Sequence, residues 1–292
     1  MGEVRVGISG WTYPPWRGVF YPADLPHRRE LEFAASRMNS VEINGSFYSL
    51  QRPSSYRGWF EQTPDDFVFS VKGGRFITHM KKLADVDTPL ANFFGSGVLA
   101  LEHKLGPLLW QLPPMLGFDQ DRLAAFFDRL PRTAGDAARV AERHDARLRH
   151  GAVTTTLADR PLRHALEVRH RSYENPEFVQ LLRRHDIALV VADTAGKWPF
   201  FEDVTSDFVY VRLHGAQELY VSGYDDDALD WWAARVRAWA SGGSSTDART
   251  VGPPAEPEPA GRDVYVYFDN DVKVRAPFDA MALAARLNPA PT

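Results

Sequence analysis

The chain has 292 residues, a hydrophobic fraction of 44% and a formal net charge of −4, enough for one large domain with a sizeable core. The absence of cysteine excludes disulfides, thiolate nucleophiles and cysteine-bound zinc or iron–sulfur clusters. The acidic balance gives no global attraction to nucleic acid or anionic membranes, and no apolar run approaches the roughly 20 residues of a membrane helix.

"MGEVRVGISG" runs directly into a strand pattern with neither a basic n-region nor an apolar h-region. No secretory signal or membrane partner is expected, and the protein is expected to be cytoplasmic. Eight strand candidates then follow in order. They are "VRVGIS" from Val4, "SVEI" from Ser40, "FVFSVK" from Phe67, "LLWQL" from Leu108, "ALEVR" from Ala165, "ALVVAD" from Ala188, "FVYVRLH" from Phe208 and "VYVYFD" from Val264. Most are rich in β-branched and aromatic residues, as strands prefer.

Helical patterns lie between them: "RRELEFAASRM", "SSYRGWFEQT", "DQDRLAAFFDRL", "NPEFVQLLRRH", "DDDALDWWAARVRAWA" and "DAMALAARL". Alternating strands and helices predict a parallel sheet, and eight units predict its closure. The expected fold is therefore α/β, a single closed (β/α)8 TIM barrel over residues 1–292. An open doubly wound sheet competes, but no Gly-x-Gly-x-x-Gly follows the first strand.

Two segments interrupt the rhythm. Residues 241–261, "SGGSSTDARTVGPPAEPEPAG", read as a flexible insertion, and residues 131–163 carry an extra helix near 136–149. Both join a helix to the next strand, which places them at the bottom of a barrel, away from its active face.

Side chains alternate across a strand, so an apolar row facing the helices leaves the other row for the lumen. On "FVYVRLH" the apolar row is Val209, Val211 and Leu213, which sends Arg212 and His214 inward. The same parity turns Ser9, Trp11, Glu42, Asn44, Ser70, Lys72, Gln111, Glu167, Arg169, Asp193 and Asp269 inward, with Asn270 just beyond. Every strand thus ends in polar lumen residues at its C-terminal end, where barrel active sites are built. The same charges could equally be a self-neutralising core, because buried charges must be paired whatever their purpose. The loops above, "GWTYPPW", "NGSFYSL" and "KGGRF", add aromatic and polar groups of the kind that line ligand pockets, including Tyr13 and Tyr48.

Several of these stretches carry a family resemblance: "GISGWTYPPWRGVFYP", "NSVEINGSFYSL", "FVFSVKGGRFITH", "LGPLLWQLPP", "ALEVRHRSY", "FVYVRLHG" and "VYVYFDND". In these the chain resembles the YecE-like family of TIM barrels, domain of unknown function 72. The resemblance implies the eight-stranded barrel and no particular reaction. The family usually has Asn where Asp269 stands, Thr in place of Gly45 and "FRHPSW" where this chain has "VRHRSY".

No P-loop, nucleotide fingerprint, Gly-x-Ser-x-Gly elbow or paired-histidine metal motif occurs. The ring acids and His214 are hard-cation ligands, but Lys72, Arg169 and Arg212 beside them argue against a metal, so no metal or cofactor is expected. The expected function is an enzyme acting on a small polar or anionic ligand, a phosphate, sugar or carboxylate. Arg212 and Lys72 would clamp its charge, His214 would act as general acid or base, and Glu167 would assist it, with Lys72 also in the catalytic set. Arg169, Glu42, Asn44, Gln111, Asp193, Asn270, Trp11, Tyr13 and Tyr48 complete the expected binding site. The alternatives are a nucleic-acid-processing barrel, favoured by aromatics and arginines near the mouth, and a non-catalytic scaffold whose ring is a satisfied core.

Overall fold

Eight parallel strands close on themselves in the computed structural model, which describes residues 1–287. They are β1 (Val4–Ser9), β2 (Ser40–Ile43), β3 (Val68–Lys72), β4 (Leu105–Gln111), β5 (His164–Glu167), β6 (Ala188–Asp193), β7 (Phe208–Leu213) and β8 (Asp263–Phe268). Each pairs with its neighbours in sequence, and β8 returns to β1 with Val4 opposite Val264 and Ile8 opposite Phe268. The barrel is formed as the strand count predicts.

Nine α-helices are described: α1 (Glu30–Ala35), α2 (Gly45–Tyr48), α3 (Pro53–Glu61), α4 (Asp87–Gly95), α5 (Gln120–Phe127), α6 (Ala134–Ala141), α7 (Pro176–Arg184), α8 (Asp226–Ala240) and α9 (Ala276–Leu287). Local chemistry starts several of them. Asp119, Asn175 and Asp225 accept from backbone N–H groups in the first turns of α5, α7 and α8. Pro176 opens α7, where its missing N–H costs nothing.

One helix escapes the sequence reading, and one connection carries none. Helix α4 gave no periodic signal, because most of its surface is buried and its apolar residues run all the way round. Between β6 and β7 the described residues form a loop: Gly196 has φ of 75° and Pro199 follows, so helix cannot continue there.

The core has two layers. Val41, Phe69, Leu108, Trp110, Leu166, Val209, Val211 and Val266 face the helices, each contributing about 1.5–3 kcal/mol by leaving water. Leu109, Ala165, Ala188, Val190, Ala192, Phe208, Tyr210, Tyr265 and Tyr267 fill the lumen. The expected parity therefore fails on β6, where Val190 and Ala192 face the lumen. They lie opposite Tyr210 and Arg212 on β7, whose bulk leaves room only for small partners.

The 241–261 segment is an irregular loop tied to the N-terminal end of the barrel. Asp203, just before β7, accepts from the backbone N–H groups of Val251 and Gly252 at 2.9 and 2.8 Å. Arg262 donates to the Gly242 and Glu256 carbonyls.

Candidate functional site

Alternation along β7 sends Arg212 into the lumen, where it is completely buried. Its Nε donates to Glu42 Oε2 at 3.0 Å. Its Nη2 donates to Glu42 Oε1 and Asp269 Oδ2, both at 2.8 Å, and to Ser9 Oγ at 3.1 Å. Its Nη1 donates to Glu167 Oε2 at 2.7 Å and lies 3.4 Å from His214 Nε2. The guanidinium thus ties β1, β2, β5 and the end of β8 to β7, with its donors fully engaged.

Glu42 is further held by the Tyr210 hydroxyl, which donates at 2.6 Å, and by Ser9 Oγ. Burying an ion without partners costs several kcal/mol, so this saturation is what permits three acids so deep in the fold.

The electrostatics follow from the geometry. Burial pushes the Asp269 carboxyl up, but the Arg212 guanidinium outweighs it and holds it down at about 2. Burial likewise opposes ionisation of Glu167, yet Arg169 and Arg212 hold it well below the carboxylate range. His214 is completely buried, and burial together with Arg212 pushes its pKa down. The neutral ring offers Nε2 to Arg212, which leaves the proton on Nδ1. That atom lies 3.1 Å from Asp269 Oδ2, but out of hydrogen-bond alignment with it.

Above this knot lies a second set of groups in a different state. Lys72, ending β3, is 6% exposed, and its Nζ sits 4.6 Å from the centre of the Phe47 ring. Among the described residues no hydrogen bond or ion pair reaches that Nζ. Burial and then Arg212 push it down to about 8, against the pull of Glu42, Asp269 and Glu167.

Gln111, opposite Glu167 at the end of β4, is buried and has no side-chain hydrogen bond among the described residues. Arg169 donates from Nε to Glu167 Oε1 at 2.7 Å and lays its guanidinium 3.8 Å from the Trp198 ring. Its Nη2 lies 3.5 Å from the Tyr220 hydroxyl. His79, edge-on to Phe47, is pushed down to about 4 by burial, Lys72 and Arg169.

A family model described as "Protein of unknown function DUF72" matches residues 5–292. The chain belongs to the DUF72 family. Its fold is similar to that of a DUF72 family protein from Thermotoga maritima MSB8, with a TM-score of 0.73 and 23% identity. That likeness covers 98% of this chain and 99% of the other. A DUF72 family protein from Enterococcus faecalis V583 gives 0.70 and 17%, over 99% and 97%.

Among curated relatives, the UPF0759 protein YecE of Escherichia coli strain K12 is 30% identical over 129 residues, 44% of each chain. The UPF0759 protein YunF of Bacillus subtilis strain 168 is 26% identical over 126 residues, 41% of this chain and 44% of the other. The matched region spans less than half the length of these curated relatives.

In this DUF72 barrel the structure gathers Glu42, Glu167, Arg212 and His214 in the inner knot, and Lys72, Gln111 and Arg169 above it. Two expected residues stand elsewhere. Asp193 belongs to the helix-facing row of β6, accepting from the Tyr224 hydroxyl at 3.0 Å and from the Ala195 N–H at 3.3 Å. Asn270 is fully buried and donates to the Ser222 carbonyl at 3.0 Å and to Asp279 Oδ2 at 2.8 Å, joining the loop after β7 to α9.

Asn44 donates to Ser9 Oγ at 2.8 Å and so braces the knot. Trp11 packs edge-on to Trp59, and Tyr13 donates to the Ser9 carbonyl at 2.6 Å while lying against Trp16. Tyr48 is 70% exposed and touches the site through Phe47 alone among its aromatic neighbours.

Trp198 and Tyr220 were not anticipated, since they lie in loops without periodicity. Gly73 is explained by packing: a Cβ there would meet the Trp110 ring at 2.3 Å. Its N–H donates to the Leu109 carbonyl at 2.8 Å.

The Arg212 guanidinium occupies the point where Glu42, Glu167 and Asp269 converge. Among the described residues no group of three His, Asp or Glu is arranged to hold a metal ion, and no helix is long and apolar enough to cross a membrane.

Proposed function

We propose that this barrel is an enzyme whose C-terminal mouth takes a small anionic metabolite, a carboxylate, phosphate or sugar acid. One observation carries the reading. Lys72 and Gln111 present polar groups to the mouth with no protein partner among the described residues, while every inner carboxylate already has its cation. Neither head group is sealed from solvent, so a small anion at the mouth meets both without displacing a protein contact.

Lys72 and Arg169 then hold the ligand's charge, Gln111 orients it, and Phe47 and Trp198 flank it. Arg212 is a positioning residue in this reading, since a ligand bound to it would have to displace a carboxylate. His79, neutral at physiological pH, is the imidazole at the opening, and His214 lies buried beneath it as part of the knot.

The test is thermal stabilisation of the full chain by a panel of small carboxylates, phosphates, sugar phosphates and oligonucleotides. A ligand at 100 times its Kd stabilises by about 2.7 kcal/mol. At least one small anion is expected to raise Tm by several degrees, with the shift lost in Arg169→Ala and Lys72→Met. The reading fails if no anion shifts Tm, if the shift survives both substitutions, or if only oligonucleotides stabilise.

A further inference from the structure

Lys72 is a cation of the mouth whose Nζ no hydrogen bond or ion pair reaches among the described residues, with only the Phe47 ring against it. Glu42 is engaged by Arg212, Tyr210 and Ser9, Glu167 by Arg212 and Arg169, and Asp269 by Arg212. The amine is therefore left beside three acids that others hold, in a mostly buried position at a strand end. Its contact with the Phe47 face favours the ammonium form by about 0.5–2 kcal/mol. Burial and Arg212 outweigh that contact and bring it to about 8 from 10.5, so at pH 7 the neutral amine is roughly 300-fold more abundant than on an unperturbed lysine. A desolvated lysine beside another cation is the setting in which amines become nucleophiles at neutral pH.

We infer that Lys72 is a covalent amine, condensing through Nζ with the carbonyl of a small oxo acid bound in the mouth. This deepens the reading above and rests on it. The neutral amine adds to the carbonyl carbon, the C–N bond forms as the π pair moves to oxygen, and that oxygen leaves as water. In sum, one amine, one carbonyl and one proton give one iminium ion and one water. Arg169 and Gln111 hold the acid's carboxylate. The positive charge of the protonated imine lies in the field of Glu42, Glu167 and Asp269, which attract Lys72 already.

The experiment exposes the full chain at neutral pH to pyruvate or glyoxylate with sodium borohydride, which delivers hydride to the iminium carbon and freezes the adduct as a secondary amine. Peptide mass spectrometry then locates it. The chain has only six lysines, and Lys82, Lys197 and Lys273 are exposed comparators.

Labelling is expected at Lys72 at least about tenfold above those three, and it should vanish from that position in Lys72→Arg. Labels spread evenly over the exposed lysines, or absent from Lys72, overturn the inference. Thermal shifts with the same acids, without borohydride, separate the two levels of argument. A pyruvate shift lost in Arg169→Ala but with no Lys72 adduct removes the imine and keeps the anion site. No shift by any anion and no adduct remove both.

Discussion

Two sets of charges share the C-terminal end of the barrel, and the fold treats them oppositely. In the inner set, Arg212 is completely buried and faces Glu42, Glu167 and Asp269, each within 3.0 Å. In the outer set, Lys72 and Gln111 have no side-chain partner among the described residues, and Arg169 is held by Glu167 along one edge and by Trp198 across its face. Burial alone does not separate the sets, since Lys72 is 6% exposed. Ion pairing does: Arg212 has three carboxylates within 2.8 Å, and Lys72 Nζ has none within ion-pair distance among the described residues. A charge that the protein has neutralised for itself holds strands together, and one left unpaired at similar depth is available to a ligand.

The hardest test of that contrast is Arg212→Met, which leaves Glu42 and Asp269 without their cation and Glu167 with Arg169 alone. It is expected to cost about 3–5 kcal/mol in urea denaturation. A loss below about 1 kcal/mol would mean that the knot does not hold the barrel.

Acid should loosen the same knot in a defined window. Asp269 at about 2 and Glu167 well below its usual range are depressed in the folded state, so the unfolded chain takes up protons first as pH falls. Their stabilisation is full above about pH 5 and drains away down through about pH 2 for Asp269. Asp269→Asn should remove about 2 kcal/mol at neutral pH and flatten the acid limb of a stability–pH series. An unchanged limb would show that the carboxylate is not coupled to Arg212.

Lys72→Met should have the opposite sign. Below about pH 8 both states carry the proton, and the folded state bears the full penalty of the buried amine. The substitution is expected to stabilise the protein by about 1–3 kcal/mol at pH 7, with the gain fading between about pH 8 and pH 10.5, while the anion response is lost. Destabilisation at pH 7 would place Lys72 among the structural charges. The smallest effect belongs to Tyr48→Ala, within about 0.5 kcal/mol and without change in the anion-induced Tm shift, because Tyr48 stands mostly in solvent.

Much of this arrangement was legible in the chain. Short apolar runs, most of them rich in β-branched and aromatic residues, marked all eight strands, and alternation sent Glu42, Lys72, Gln111, Glu167 and Arg212 to the lumen. It misled on "ALVVAD", a strand buried on both faces and apolar on each, where alternation carries no phase. The choice there fell to volume, with Val190 and Ala192 making room for Tyr210 and Arg212, and Asp193 was displaced with the error. Pairing was beyond alternation as well. Nothing in the spacing of Arg212 and Lys72 distinguishes the cation that gathers three acids from the one that gathers none. Trp198 sits in a loop that turns at Gly196 and Pro199, and Tyr220 in one that turns at Gly215, whose φ is 116°.

The knot also bears on when the barrel becomes complete. Arg212 joins partners 170 residues away at Glu42 and 203 residues away at Ser9, with Asp269 57 residues beyond it in the chain. Contacts of such sequence separation form only after the intervening loops have been closed, late on the way to the native state. Substitution of Arg212 should therefore speed unfolding in stopped-flow chevrons while leaving the refolding limb nearly unmoved. An equally slowed refolding limb would place the ion cluster in the folding nucleus instead. On the expected result, the first and last strands meet before Arg212 is engaged, and its ion pairs slow the reopening of a barrel already closed.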